Sequence, residues 1–237
     1  MRKILVTITT IYDPNWRKKI REIDELNIKE AALFLTGLNP QERKECYQLL
    51  RKTTLIKIPF VHLRSDMAPW ELKFLIKNYQ SKIFNIHSET QYPLKHNLSS
   101  YSNQIYIENT NCLLNEKELQ KWAGICLDFS HLEDDRCLSP KRYRYNLKII
   151  KKYPLGCNHI SAVRKKISHH SQYGDVKSSH WIQDLAEVNY LKNFPKEFFS
   201  PVMAIELENS LKKQLKVKRY IETFSLSCNN KKENSVL

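Results

Sequence analysis

Short apolar, β-prone runs alternate along the chain with longer stretches that open on helix-start signals. Ile4 to Thr9 is the first such run, and Asp13-Pro14 then opens a helix to about Leu26, with Asp as N-cap and Pro pre-set for the first helical position. Ala31 to Thr36 is a second strand, followed by Asn39-Pro40-Gln41-Glu42, which has the form of a capping box. That helix runs to about Lys52 and leads into a third strand, Ile58 to His62. Pro69-Trp70 starts a helix ending near Tyr79, and Ile83 to His87 is the fourth strand.

Ser88 to Asn103 is polar, contains Pro93 and predicts no full helix. Gln104 to Glu108 is the fifth strand, Asn115 with Glu118 caps a short helix, and Ile125 to Asp128 is the sixth strand. Ser139-Pro140 opens a helix to about Lys152 before the seventh strand, Cys157 to Ile160. A long connection, Ser161 to Ser179, precedes a helix from about Trp181 to Lys192. Val202 to Glu206 is the eighth strand, and Asn209 to about Phe224 the closing helix.

Strands alternating with helices predict a parallel sheet covered by helices. Eight is the number that closes a (β/α)8 TIM barrel, and 237 residues fall within the size range of that fold. An open doubly wound sheet is the runner-up. It would carry a Gly-rich phosphate loop after the first strand, where this chain has Thr9-Thr10-Ile11-Tyr12. The expected organisation is one barrel domain over residues 1–224 and a polar tail over 225–237.

Composition narrows the picture. A hydrophobic fraction of 41% suits an α/β protein, and no run of 18 apolar residues marks a membrane span. The N-terminus has too short an apolar core for a signal peptide, so the chain is expected to be cytoplasmic. The six cysteines form no Cys-x-x-Cys pair, which argues against a zinc ribbon and a disulfide scaffold. A net charge of +14 favours an anionic substrate over a cationic one. The basic runs Arg17-Lys18-Lys19, Lys151-Lys152 and Lys212-Lys213 fall on predicted helices, whose outer faces are normally solvated.

The chemistry gathers at the strand ends. The sixth strand closes Gly124-Ile-Cys-Leu-Asp-Phe-Ser-His131, so one turn can aim a carboxylate and an imidazole at one point, the beginning of a divalent-metal site. His62, His87, Glu108, His159 and Glu206 end other strands. In a parallel barrel those ends share one rim, where such barrels place their chemistry. Acids that follow apolar residues directly would be costly to bury without a cation. Arg64 and Asp66, just past His62, can contact substrate or pair with each other, and Tyr12, Trp16 and Trp181 are candidate rim aromatics.

In motif order, from Lys3 to Phe224, the chain resembles the xylose isomerase-like superfamily of metal-dependent barrels, which contains sugar isomerases and epimerases and the apurinic-site endonucleases. The resemblance implies that Glu108, Asp128, His159 and Glu206 hold one divalent ion (Mn, Mg or Co), with His131 completing the Asp-x-x-His turn and His180 a further histidine before a helix. The endonuclease branch binds three zinc ions and adds histidines after the third and fourth strands, which His62 and His87 match, and Ile-Glu-Asn-Thr at 107–110 is similar to its fifth-strand motif. Here, however, His87 is followed by Ser-Glu in place of Pro-Gly, Asn111-Cys112 stands in place of Ala-Gly, and the Asp-x-His is missing, since Asp175 and His180 are five apart.

What the resemblance implies for activity is isomerisation or epimerisation of a sugar or sugar phosphate through a metal-stabilised enediolate, with Glu108 and Glu206 as paired base and acid. The first alternative is an endonuclease IV-like zinc phosphodiesterase acting on DNA, and the second a barrel that binds metal or sugar without catalysis. His62, His87, His131, His180 and Arg64 are then further metal or substrate contacts. The expected partner is a small anionic or neutral sugar, with nucleic acid only under the nuclease alternative, no membrane, and room for a homo-oligomer.

Overall fold

The computed structural model describes residues 2–11, 16–170 and 174–226. Eight strands form the wall: β1 (Lys3–Leu5, resuming after Val6 as Thr7–Ile8), β2 (Ala32–Phe34), β3 (Phe60–His62), β4 (Ile83–Ile86), β5 (Ile105–Glu108), β6 (Gly124–Asp128), β7 (Leu155–Ile160) and β8 (Val202–Ile205). All neighbours pair in parallel. The first segment of β1 pairs with β8 and the second with β2, so the same strand borders both ends of the sheet and the ring closes. The chain folds as a (β/α)8 barrel.

Strict alternation along the strands separates two apolar regions. Ile4, Leu33, Val61, Phe84, Ile107, Leu127 and Met203 face outward into the main core. It is completed by helices that include α1 (Trp16–Glu25), α2 (Pro40–Leu50) and α3 (Pro69–Tyr79). Leu5, Ala32, Phe34, Phe60, Cys126, Cys157 and Ala204 make the second, smaller cluster inside the barrel. Two residues further along several strands, the inward position turns polar: His62 follows Phe60, Asp128 follows Cys126, His159 follows Cys157 and Glu206 follows Ala204. A dry floor therefore lies beneath a layer of ionisable groups.

Local signals account for several boundaries. The Asn39 side chain accepts from Gln41 and Glu42 N–H while Glu42 returns a bond to the Asn39 N–H, and Pro40 is the first helical residue, so the predicted capping box forms. Asn115 caps α4 (Glu116–Leu119) in the same way on one side. Ser88 to Asn103 contains no three-turn helix; a short 3-10 helix, Ser99–Gln104, closes it.

Four expectations are corrected. The Asp128-x-x-His131 turn is the start of a helix, α5 (Phe129–Leu138), which precedes α6 (Pro140–Ile150); the acid-rich Leu132-Glu-Asp-Asp-Arg segment hid its apolar face. The connection Ser161 to Ser179 is an antiparallel hairpin, Ala162–His170 paired with Gly174–Ser179, whose largely solvent-facing strand lacks the apolar alternation of a barrel strand. The helix expected at Trp181 is a 3-10 helix, Leu185–Asn193, begun by Asp184. In the basic run at residues 17–19, Lys19 is buried, and its ammonium meets Glu208 at 2.6 Å. The helix signal at Asp13-Pro14 lies outside the described residues, as do Tyr12 and most of the tail; the final helix, α7, spans Leu211–Leu226.

Candidate metal centre

Glu108, Asp128, His159 and Glu206 stand on or just beyond β5, β6, β7 and β8, four consecutive strands, and each is almost fully buried. One potential ligand atom from each lies within 4.8 Å of all the others. His159 Nδ1 sits between the two glutamates, 3.3 Å from Glu108 Oε2 and 3.3 Å from Glu206 Oε2, and 3.9 Å from Asp128 Oδ2. A second group, His62, His87 and Glu108, meets the same limit and shares the Glu108 carboxylate. His62 Nε2 is 3.0 Å and His87 Nε2 3.7 Å from Glu108 Oε2.

Proximity is not the same as pairing here. Asp128 Oδ2, Glu206 Oε2 and both ring nitrogens of His62 and of His159 are buried and make no hydrogen bond. Each such orphan costs about 1–3 kcal/mol, more if charged, unless another partner meets it. The orphans converge from several strands and combine carboxylate oxygen with imidazole nitrogen, the donor set of Zn, Mn and related divalent ions. The residues present thus fit a divalent cation.

Asp128 shows how one residue serves both the fold and this cluster. Its Oδ1 accepts from Ser130 N and His131 N, capping α5, and from Ser130 Oγ, while Oδ2 carries no partner. The helix cap fixes the rotamer and so aims the second oxygen. Asn109 holds the backbone alongside, donating to Asp128 O at 2.9 Å and accepting from Asp128 N at 2.7 Å.

The charges are strongly coupled. Burial pushes the Glu108 carboxyl up, but the facing imidazoles of His159, His87 and His62 outweigh it and hold Glu108 well below the usual carboxylate range. Glu206 is likewise held down, to about 2, because His159 and His180 overcome its burial. Asp128 goes the other way: burial raises it, His131 opposes, and repulsion from Glu206 and Glu108 adds to the rise. Burial lowers His87 to about 4 despite Glu108 nearby. An added cation relieves the carboxylate repulsion directly.

A cavity of about 780 Å³ opens above the cluster. Glu108 and Glu206 reach its base, His87, His131 and His180 line it, and the hairpin contributes wall from Ser168 to His170. His180 Nδ1 lies 3.3 Å from Glu206 O. Of the candidate rim aromatics, Trp181 lines the cavity, whereas Trp16 is buried in the main core. Arg64 both lines the cavity and approaches Asp66, Nε to Oδ1 at 3.2 Å. Sequence reasoning missed Asn85, whose Nδ2 donates to Glu108 Oε2 at 2.7 Å. Its signal was a polar residue inside Ile-Phe-Asn-Ile, two positions before His87 and on the same face.

No protein-family model matches the chain, and no curated protein matches it. Among solved structures it is similar to a protein described as a "putative xylose isomerase" from Rhodospirillum rubrum, at 9% identity and a TM-score of 0.45, over 95% of this chain and 98% of that one. The functional reading rests on the side chains described above. Among the described residues, no helix is long and apolar enough to cross a membrane.

Proposed function

We propose that the protein is a divalent-metal-dependent isomerase or epimerase of a sugar or sugar phosphate, carried by one barrel domain over residues 1–224. The observation that carries this reading is the convergence of Glu108, Asp128, His159 and Glu206, buried and within 4.8 Å of one another, the last three with atoms that lack a hydrogen-bond partner, at the base of a cavity of small-molecule size. These four residues would hold the ion, Mn, Mg or Co. When bound, the ion supplies Lewis-acid stabilisation to negative charge on neighbouring substrate oxygens.

The chain's own residues supply the proton chemistry. Glu108 and Glu206 each approach His159 Nδ1 to 3.3 Å and both line the cavity, so a substrate carbon seated above the cluster would lie within reach of both carboxylates. For epimerisation one removes the proton next to the carbonyl and the other returns a proton to the opposite face of that carbon; for isomerisation along the chain the proton goes instead to the former carbonyl carbon, with a hydroxyl proton passing between the two neighbouring oxygens. Asn85 keeps Glu108 oriented during this exchange through the 2.7 Å bond to Oε2. The hairpin and Trp181 wall the cavity, which limits water at the reacting carbon.

A second reading, a zinc phosphodiesterase, is favoured by one observation: the His62, His87 and Glu108 group shares a carboxylate with the first, as two-metal sites do. Against it stand the missing Asp-x-His and a cavity walled on one side by the hairpin.

The test is solvent exchange. Protein loaded with manganese is incubated with aldoses, ketoses and their phosphates in D2O, and deuterium at the carbon next to the carbonyl is read by NMR. Incorporation that disappears in Glu206→Gln is the expected result. No incorporation into any sugar, together with zinc-dependent cleavage of an abasic-site oligonucleotide, would replace this reading with the second.

A further inference from the structure

The cavity has a second polar corner, away from the carboxylate cluster. Thr36 follows β2 and Arg64 follows β3, and both line the cavity. Phe34 and His62, two residues before each, are direct register partners, so the two later residues leave neighbouring strands side by side. Arg64 Nη1 donates to Thr36 O at 3.0 Å, which ties them together. The Thr36 hydroxyl oxygen, by contrast, is buried without a hydrogen-bond partner.

Arg64 is held in place from behind. Its Nε lies 3.2 Å from Asp66 Oδ1, and the same Asp66 oxygen accepts from Arg43 Nη1 at 3.0 Å. Arg43 is itself buried and grips both oxygens of Glu71, at 2.8 and 3.0 Å, while Tyr47 donates to Glu71 at 2.8 Å. Arg43 and Arg64 together balance the two acids, Asp66 and Glu71, along this chain of contacts. With Nε and Nη1 engaged, Arg64 presents its Nη2 edge, and its side chain remains 40% exposed. A guanidinium fixed in this way loses little freedom on meeting an oxyanion.

The rest of the wall is rich in imidazole and poor in carboxylate. Apart from Glu108 and Glu206, no carboxylate lines the cavity among the described residues, whereas Arg64 and five histidines do. Across the cavity wall Asn111 adds a buried side-chain amide whose nitrogen and oxygen are both without partners.

We propose that the Thr36–Arg64 corner is an oxyanion subsite and that the substrate is a phosphate monoester, its phosphate held by the Arg64 guanidinium and the Thr36 hydroxyl while its other end reaches the Glu108–Glu206 cluster. This names the substrate class for the isomerase or epimerase reading and rests on it for the second half of the statement; the phosphate corner stands on its own contacts. The Nη2 edge of Arg64 and the Thr36 hydroxyl offer donors to the tetrahedral oxygens of phosphate, whereas a neutral sugar would bring the guanidinium no opposite charge beyond its contact with Asp66.

The experiment is calorimetric titration of the full chain with inorganic phosphate, D-ribose 5-phosphate and D-ribose. Each is run in chelator, so that phosphate cannot report on a metal, and again with manganese. The expected result is binding of both phosphates in chelator, no binding of ribose, and at least a tenfold loss in Arg64→Gln with partial recovery in Arg64→Lys. Thr36→Val, which keeps the carbonyl that Arg64 uses, should weaken phosphate several-fold and serves if Arg64→Gln does not fold. Phosphate binding that needs manganese, or that is equal in wild type, Arg64→Gln and Thr36→Val, would overturn the subsite. Preference for a DNA oligonucleotide over the monoester would overturn the substrate class. Phosphate binding in chelator without any manganese binding would leave the subsite standing and remove the metal-dependent function.

Discussion

Asn85 and Glu108, on neighbouring strands, are joined by a 2.7 Å hydrogen bond from Asn85 Nδ2 to Glu108 Oε2. That same oxygen also approaches His62, His87 and His159, so one neutral amide steers the carboxylate shared by both candidate metal groups. Asn85→Ala should keep the barrel and lower manganese affinity by roughly 10–100-fold, the usual cost of removing an outer hydrogen bond from a ligand. Titration calorimetry reads this directly; unchanged affinity would show that Glu108 is oriented by the histidines alone.

Asp128 divides its oxygens between cap and cluster, which separates two effects by substitution. Asn in its place keeps an acceptor for Ser130 N and His131 N but removes the negative charge and the second carboxylate oxygen. Asp128→Asn is therefore expected to hold its melting temperature in chelator close to wild type and to lose metal binding. Asp128→Ala should lose both, with about 1 kcal/mol or more from the cap. Equal stability of the two variants in chelator would mean that the cap contributes nothing.

His62 and His87 have ring centroids 4.7 Å apart and face the Glu108 oxygen together. If they hold a second ion, His87→Ala lowers the metal stoichiometry measured after purification; if they contact substrate, metal content is unchanged and activity falls. The isomerase reading predicts the second pattern, with about one equivalent of metal. Two to three equivalents of zinc in wild type, reduced in His87→Ala, would favour the phosphodiesterase.

Gly156 lies where the register of β6 against β7 slips, between the Ile125–Leu155 and Cys126–Cys157 pairs. A Cβ there would stand 2.0 Å from the Tyr106 ring, inside the floor on which the cluster rests. Gly156→Ala should destabilise by about 1–3 kcal/mol through overpacking, read as a lower denaturant midpoint. Tyr106→Leu in the same chain should recover part of the loss by making room.

Much of this architecture was legible because the barrel strands carry their own punctuation. Strand-end residues His62, Glu108, Asp128 and Glu206 mark where the inward face leaves the dry floor, and Asn39-Pro40 and Pro69 mark helix starts from local chemistry alone. What could not be read depended on partners distant in sequence. The hairpin Ala162–His170 is polar because most of its outer strand faces solvent, so no apolar alternation announces it. Lys19 looked like one of a solvated run until Glu208, 189 residues away, was found beside it. Asn85 is an unremarkable polar residue until β5 brings Glu108 within hydrogen-bond reach. The convergence of Thr36 and Arg64 likewise appears only once β2 and β3 pair.

The central claim is that Glu108, Asp128, His159 and Glu206 bind one divalent cation, and thermal melting with and without metal tests it most directly. Only the folded chain brings the four together, so saturating manganese should raise the wild-type melting temperature, by roughly 5–10 °C at 100 times the dissociation constant. Glu206→Gln keeps the side chain's size, removes one ligand charge, and should lose most of that shift while melting as a folded protein in chelator. A wild-type melting curve indifferent to manganese, magnesium, cobalt, zinc and chelator alike would contradict the account.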